Sequence, residues 1–163
     1  MIRIEKVTLL KDLPHLTAIE LKSQEFPLSM EVIKEACGDP KHAVYLAMIQ
    51  KRAVGMAVVL FDDDLVIKRI SSHQEFRRVG VCKRILKHLN TVAWAAKLER
   101  MTIKIPDYKV CPADDPDYLG EWLYSAGFKA TGKVTSGHYT RYCRHYDAYE
   151  FAKEVNDTSP RKN

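Results

Sequence analysis

Residues 77–83, Arg-Arg-Val-Gly-Val-Cys-Lys, bring three cations and a glycine to the point where a strand-like run gives way to a helix-like one. A helix N-terminus exposes unpaired N–H groups and carries roughly half a positive charge, so it favours an acidic or capping side chain. Here no capping side chain adjoins Gly80, and Arg84 adds a fourth cation. Such a turn suits a bound anion. The N–H groups point outward, glycine permits close approach, and the cations balance a pyrophosphate. The same residues would also serve as a solvated basic helix start, with Gly80 merely as its cap.

The elements that would position this turn follow from periodicity. Leu65–Ser72 is strand-like, and Met101–Ile105 alternates Met101, Ile103 and Ile105. Between them Gly80–Lys97 carries Val81, Ile85, Leu89, Val92 and Ala96 on one helical face. Strand, helix and strand make one βαβ crossover, whose first connection is the basic turn. Upstream, Ile2–Val7 reads as a strand, Leu10–Ser23 and Met30–Cys37 as helices, the second capped by Ser29. Ala43–Ile49 and Ala53–Phe61 read as strands of an antiparallel meander. Downstream, Tyr118–Ala126 is a short helix closed by Gly127, and Lys129–Val134 and Tyr142–Val155 are two last strands. The order predicts an α+β fold with a mixed, largely antiparallel sheet of six to seven strands and about four helices.

The chain has 163 residues, which suits one domain, residues 1–155, followed by a polar tail, 156–163, expected to be disordered. A net charge of +5 fits an anionic cofactor and does not imply nucleic acid. No segment approaches the ~20 apolar residues of a membrane span, and MIRIEKV reads as a strand rather than a leader, so a cytoplasmic protein is expected. Cys37, Cys82, Cys111 and Cys143 form no CxxC pair and are expected to be reduced thiols, with no metal site.

Arg77-Arg-Val-Gly-Val-Cys82 resembles the R/Q-x-x-G-x-G/A signature of the GNAT superfamily of N-acetyltransferases. Tyr124-Ser-Ala-Gly-Phe128 is similar to the end of that family's fourth helix, and Asp147–Lys153 to its last strand. The element order matches through nearly the whole chain. The resemblance implies a three-layer domain with a V-shaped splay between strands 65–72 and 101–105. It also implies acetyl-CoA as cofactor, an amine as co-substrate, and a possible homodimer. Arg77, Arg78, Val79, Gly80, Val81, Cys82 and Lys83 would hold the pyrophosphate, and Ile70, Ser71 and Ser72 would align the pantetheine arm. Cys82 stands where the family prefers Gly or Ala. At a helix start among cations its thiol is expected to be acidified.

Acyl transfer to an amine needs a base for the amine, stabilisation of the oxyanion and a proton for the leaving thiolate. The family's patterns imply a Glu on the strand after the third helix, where Lys104 lies here, and an Asn shortly after it, where Tyr108, Lys109 and Val110 lie. The family's general-acid Tyr falls at Leu123; Tyr124 follows it, about 100° further round the helix. Tyr124 is the candidate acid, with Tyr118 as alternative. Candidate bases are His73, Glu25 on the substrate-side loop, and Glu75, which could instead pair with Arg77 or Arg78; a solvent chain would also serve. Tyr139, Tyr142, His145, Tyr146 and Tyr149 could line a substrate groove or be half-buried strand residues. The favoured reading is an acetyl-CoA-dependent N-acetyltransferase. The alternative is a non-catalytic CoA-binding or protein-interaction module of the same fold.

Overall fold

The computed structural model describes residues 1–8, 10–23, 28–106, 119–141 and 143–157. Strand β1 (Ile2–Lys6) leads through a 3₁₀ turn, Leu10–Asp12, into α1 (Leu13–Ser23) and α2 (Met30–Gly38). The meander β2 (His42–Ile49), β3 (Arg52–Phe61) and β4 (Leu65–Ser72) follows. A second 3₁₀ turn, Gln74–Phe76, then precedes α3 (Val81–Ala95). The chain ends with β5 (Arg100–Pro106), α4 (Leu119–Ser125), β6 (Lys129–Arg141) and β7 (Arg144–Glu154). No helix among the described residues is long and apolar enough to cross a membrane.

The seven strands form one sheet in the order β1-β2-β3-β4-β5-β7-β6. Only β4 and β5 run parallel, as a helical crossover requires. Strand alternation sends the apolar residues to both faces, and each face carries two helices. Val44, Leu46, Met56 and Val58 pack against Leu13, Leu16 and Ile19 of α1 and Ile33 and Ala36 of α2. Tyr45, Ala57, Val59, Ile67, Met101 and Ile103 pack on the other face against Val81, Ile85 and Leu89 of α3 and Leu123 of α4. The result is the expected three-layer α+β domain. Ser29 caps α2, its hydroxyl accepting from the Val32 N–H.

Strand β6 runs to Arg141, well past the expected end at Val134. Its pairing with β7 shifts register between Ala130 and Val134 and again between Thr135 and Tyr139. Gly132 (φ +83°) and Gly137 (φ +60°) lie in those two irregular stretches. Two bulges break the apolar alternation, which is why a period-two reading stops short.

Strands β4 and β5 share only three rungs, Leu65–Met101, Val66–Thr102 and Ile67–Ile103. Beyond them β4 continues beside β3 as far as Ser72, and β5 continues beside β7 as far as Pro106. On β3, Val58 faces Arg69 while Val59 faces Ile67, so Lys68 is an extra residue in β4. This bulge begins where the pairing with β5 ends, and a bulge bends its own strand.

Candidate functional site

On the α3 side, Gly80 is the N-cap residue of α3, in a left-handed conformation (φ +86°) and without a side-chain cap bond. A Cβ at Gly80 would meet nothing within 4 Å, so the approach to its backbone is open. The N–H groups of the first turn have no intrahelical acceptor, and no acidic residue lies in that turn. Arg78 is also left-handed (φ +65°), a costly state for a side chain of its size. Arg77, Arg78, Lys83 and Arg84 are all exposed around the turn. The sequence expectation of an uncapped, cation-ringed glycine turn is what the backbone forms.

Two devices fix this turn against the sheet. A Cβ on Gly55 of β3 would lie 2.5 Å from Val81 Cγ1 and 2.8 Å from the Ser71 carbonyl oxygen, so only glycine lets α3 sit this close. The approach segment is tied to β3: the His73 N–H donates to the Val54 carbonyl (2.8 Å), and Arg52 pairs with Glu75 (2.5 Å). The Arg52 guanidinium also lies 4.8 Å from the centroid of the Phe76 ring. Glu75 is therefore engaged by Arg52. Gly55 carried no functional meaning in the sequence; a glycine inside an apolar strand was the available signal.

His73 caps the second 3₁₀ turn, its Nδ1 accepting from the Glu75 N–H (3.3 Å). Its ring stands edge-on to Phe76. Ser71 is buried, and a hydrogen bond links Ser72 to Cys82, tying the end of β4 to the start of α3. Cys82 corrects an expectation. Burial pushes its thiol above the ordinary range and outweighs the Ser72 bond and the Arg77 charge, which act the other way. The helix start and its cations therefore do not make this cysteine reactive.

Tyr124 on α4 is half exposed and stacks edge-on with Phe151 (6.0 Å). Phe151 faces Ile103 across β7 and β5, the last β5 residue to pair with β4. Tyr124 thus stands at the level where the two strands part. Leu123, at the family's acid position, is buried in the core. Glu25, Tyr118 and Tyr142 lie outside the described residues.

On the opposite face lies a cavity of about 440 Å³. Its floor is β4 and β5 at their parting, with Val66, Lys68, Arg69 and Lys104; α2 and β6 supply its walls. From β6 come His138 and Tyr139, placed by the bulge between Thr135 and Tyr139. That bulge is pinned by the Gly137 N–H donating to Asp147 Oδ1 (2.9 Å). The Tyr139 hydroxyl donates to the Lys104 carbonyl (2.9 Å), and burial raises its pKa. Burial, then Lys104 and Lys68, hold the His138 ring below the ordinary histidine range, so it is neutral at pH 7. His138 went unremarked in the sequence; Ser-Gly-His within a strand was its only signal.

Residues 10–109 match the family model described as Acetyltransferase (GNAT) family. No curated protein matches the sequence significantly. Among solved structures, the ribosomal-protein-S18-alanine N-acetyltransferase from Escherichia coli superposes with a TM-score of 0.78 at 16% identity, covering 100% of this chain and 99% of that one. NAA60 of Arabidopsis thaliana, solved with a bisubstrate analogue, superposes with a TM-score of 0.78 at 12% identity, covering 96% and 99%. A GNAT family acetyltransferase from Elizabethkingia anophelis, solved with acetyl-CoA bound, superposes with a TM-score of 0.71 at 18% identity, covering 94% and 98%.

Acetyl-CoA is the cofactor of this family, and the residues present fit it. An uncapped helix start, an open glycine and exposed cations answer a pyrophosphate, and the diverging β4 edge beside α3 answers an extended arm.

Proposed function

This chain belongs to the acetyltransferase (GNAT) family, and from that premise we propose that it acetylates a primary amine drawn from a small molecule, a lysine side chain or a protein N-terminus. The observation that supports this most is a coincidence of two sites. The anion-ready turn of α3 and the 440 Å³ cavity meet the same parting of β4 and β5 from opposite faces.

In this reading acetyl-CoA supplies an activated acetyl group. Backbone N–H groups from Arg78 to Lys83 bind its pyrophosphate, with Arg77, Arg78 and Lys83 as counter-charges. Ile70, Ser71 and Ser72 orient the arm along β4, and a β4 amide near Ser71 polarises the acetyl carbonyl. An ammonium acceptor loses two protons on becoming an amide. His138, neutral and on the cavity wall, is placed to take one at a ring nitrogen. Tyr124 keeps a phenol proton on the opposite face, available to the leaving sulfur. His73 and Glu25 remain alternative bases. For His73 that role falls to Nε2, because Nδ1 already accepts a main-chain N–H.

Calorimetric titration with acetyl-CoA and then CoA tests the cofactor half, with micromolar binding expected. No binding to either overturns the reading. Thiol release with acetyl-CoA and a panel of primary amines tests the transfer. Lys104, in place of a carboxylate on β5, favours a second reading of a CoA-binding module without turnover. Tight binding with no amine acetylated would select it.

A further inference from the structure

We propose that the acceptor amine carries a carboxylate or an equivalent anionic group, bound in the α2-side cavity by Lys68, Arg69 and Lys104. This names the substrate class of the site proposed above and rests on that reading.

Strand alternation would send Lys68 and Arg69 to opposite faces of the sheet. The bulge at Lys68 instead lets both line one cavity, beside Lys104 from the neighbouring strand. Lys68 and Lys104 are close enough to His138 for both to depress its protonation. Arg69 acts likewise on Tyr139, favouring its ionised form against burial. Three cations therefore converge on a small space where they repel one another.

The protein's own carboxylates do not neutralise the group. No ion pair joins Lys68 or Lys104 to a carboxylate among the described residues. Asp39 lines the far wall but is engaged by His42 (2.7 Å) and the Lys41 N–H (2.9 Å). Glu35 lies on α2, exposed at the opposite side. Glu150, opposite Lys104 in register, accepts from the Thr131 hydroxyl (3.2 Å). Convergent cations without a protein counter-ion are a recognition site for an anion.

The size limits the ligand. At about 440 Å³ the cavity is near the lower end of small-molecule sites, which span roughly 300–1,000 Å³. It accommodates a small amino acid or the first residues of a peptide. Cations around the acceptor also disfavour its ammonium form, which helps the amine reach its neutral, nucleophilic state.

The test compares acceptors that differ only in the anion. Thiol release is measured with glutamate against its diamide, and with a Ser-Glu-Glu peptide against Ser-Gln-Gln. The same four compounds are titrated calorimetrically into CoA-saturated protein, so the answer does not depend on turnover. The expected result is at least a tenfold preference for the acidic member of one pair, weakened by salt. Preference within the glutamate pair identifies a free small molecule, and within the peptide pair an acidic N-terminus. Lys68→Met and Lys104→Met should each bring that ratio towards one while acetyl-CoA affinity holds. Equal use and equal binding of both members of each pair, or a ratio untouched by both substitutions, overturns the proposal. Failure of acetyl-CoA to bind would instead overturn the functional reading beneath it.

Discussion

The two faces of the β4–β5 parting are built from different materials. On the α3 side the site is mostly main chain: a left-handed glycine, first-turn N–H groups and a diverging strand, all within one strand–turn–helix connection. On the α2 side it is mostly side chains, delivered by α2, β4, β5 and β6 from distant parts of the sequence. Backbone recognition tolerates almost any side chain except at the glycines. Side-chain recognition is set residue by residue, and here it turns on two bulges. The first kind of site serves an invariant cofactor; the second can be retuned for a new acceptor without disturbing it.

The sharpest way to break this contrast is Gly80→Glu. It forces a side chain into the left-handed region, at about 1–2 kcal/mol, and places a carboxylate where the anion belongs. A negative charge suits the helix start itself, so circular dichroism should stay native while acetyl-CoA affinity falls at least a hundredfold. Retained affinity would show that α3 is not the cradle.

Next in size is the division of proton transfer between the faces. Tyr124→Phe and His138→Gln should each lower kcat by about a hundredfold, the lower end for a lost acid or base, with acetyl-CoA affinity within a factor of two or three. A variant with unaltered kcat removes that residue from the mechanism.

Gly55→Ala should join the two regions in one defect. The added methyl meets Val81 and the Ser71 carbonyl, and overpacking of this kind costs about 1–3 kcal/mol. Tm and acetyl-CoA affinity should fall together, because the helix that closes the core also carries the cradle. A drop in Tm with affinity unaltered would uncouple them.

The smallest effect is on pH dependence. His88 on α3 is held below its ordinary pKa by burial and Arg84, and His138 by burial, Lys104 and Lys68. Both fold as neutral rings. The unfolded chain takes up their protons as pH falls through about 6.5, so their contribution is full above that value and is lost on acidification towards their folded pKa values. The decline of Tm between pH 7 and 5 should be shallower in His88→Gln. An unchanged slope would mean that the ring is solvated in the folded state.

The sequence read the α3 side well because every determinant there is local. Apolar spacing defined α3, a missing cap and clustered cations marked its start, and a resemblance named the anion. It misread Cys82, whose thiol is governed by burial rather than by the helix start, since desolvation depends on neighbours distant in the chain. It stopped β6 at Val134 because bulges break the alternation by which strands are recognised. His138 and Gly55 were passed over for the same reason, as their meaning comes from what lies across the sheet.

The sequence by itself determined the element order, the three layers and the cofactor turn, because period, capping and glycine freedom act over a few residues. Only the tertiary structure decided which cations share a cavity. That outcome depends on register, and a single extra residue at Lys68 reassigns the faces of its strand.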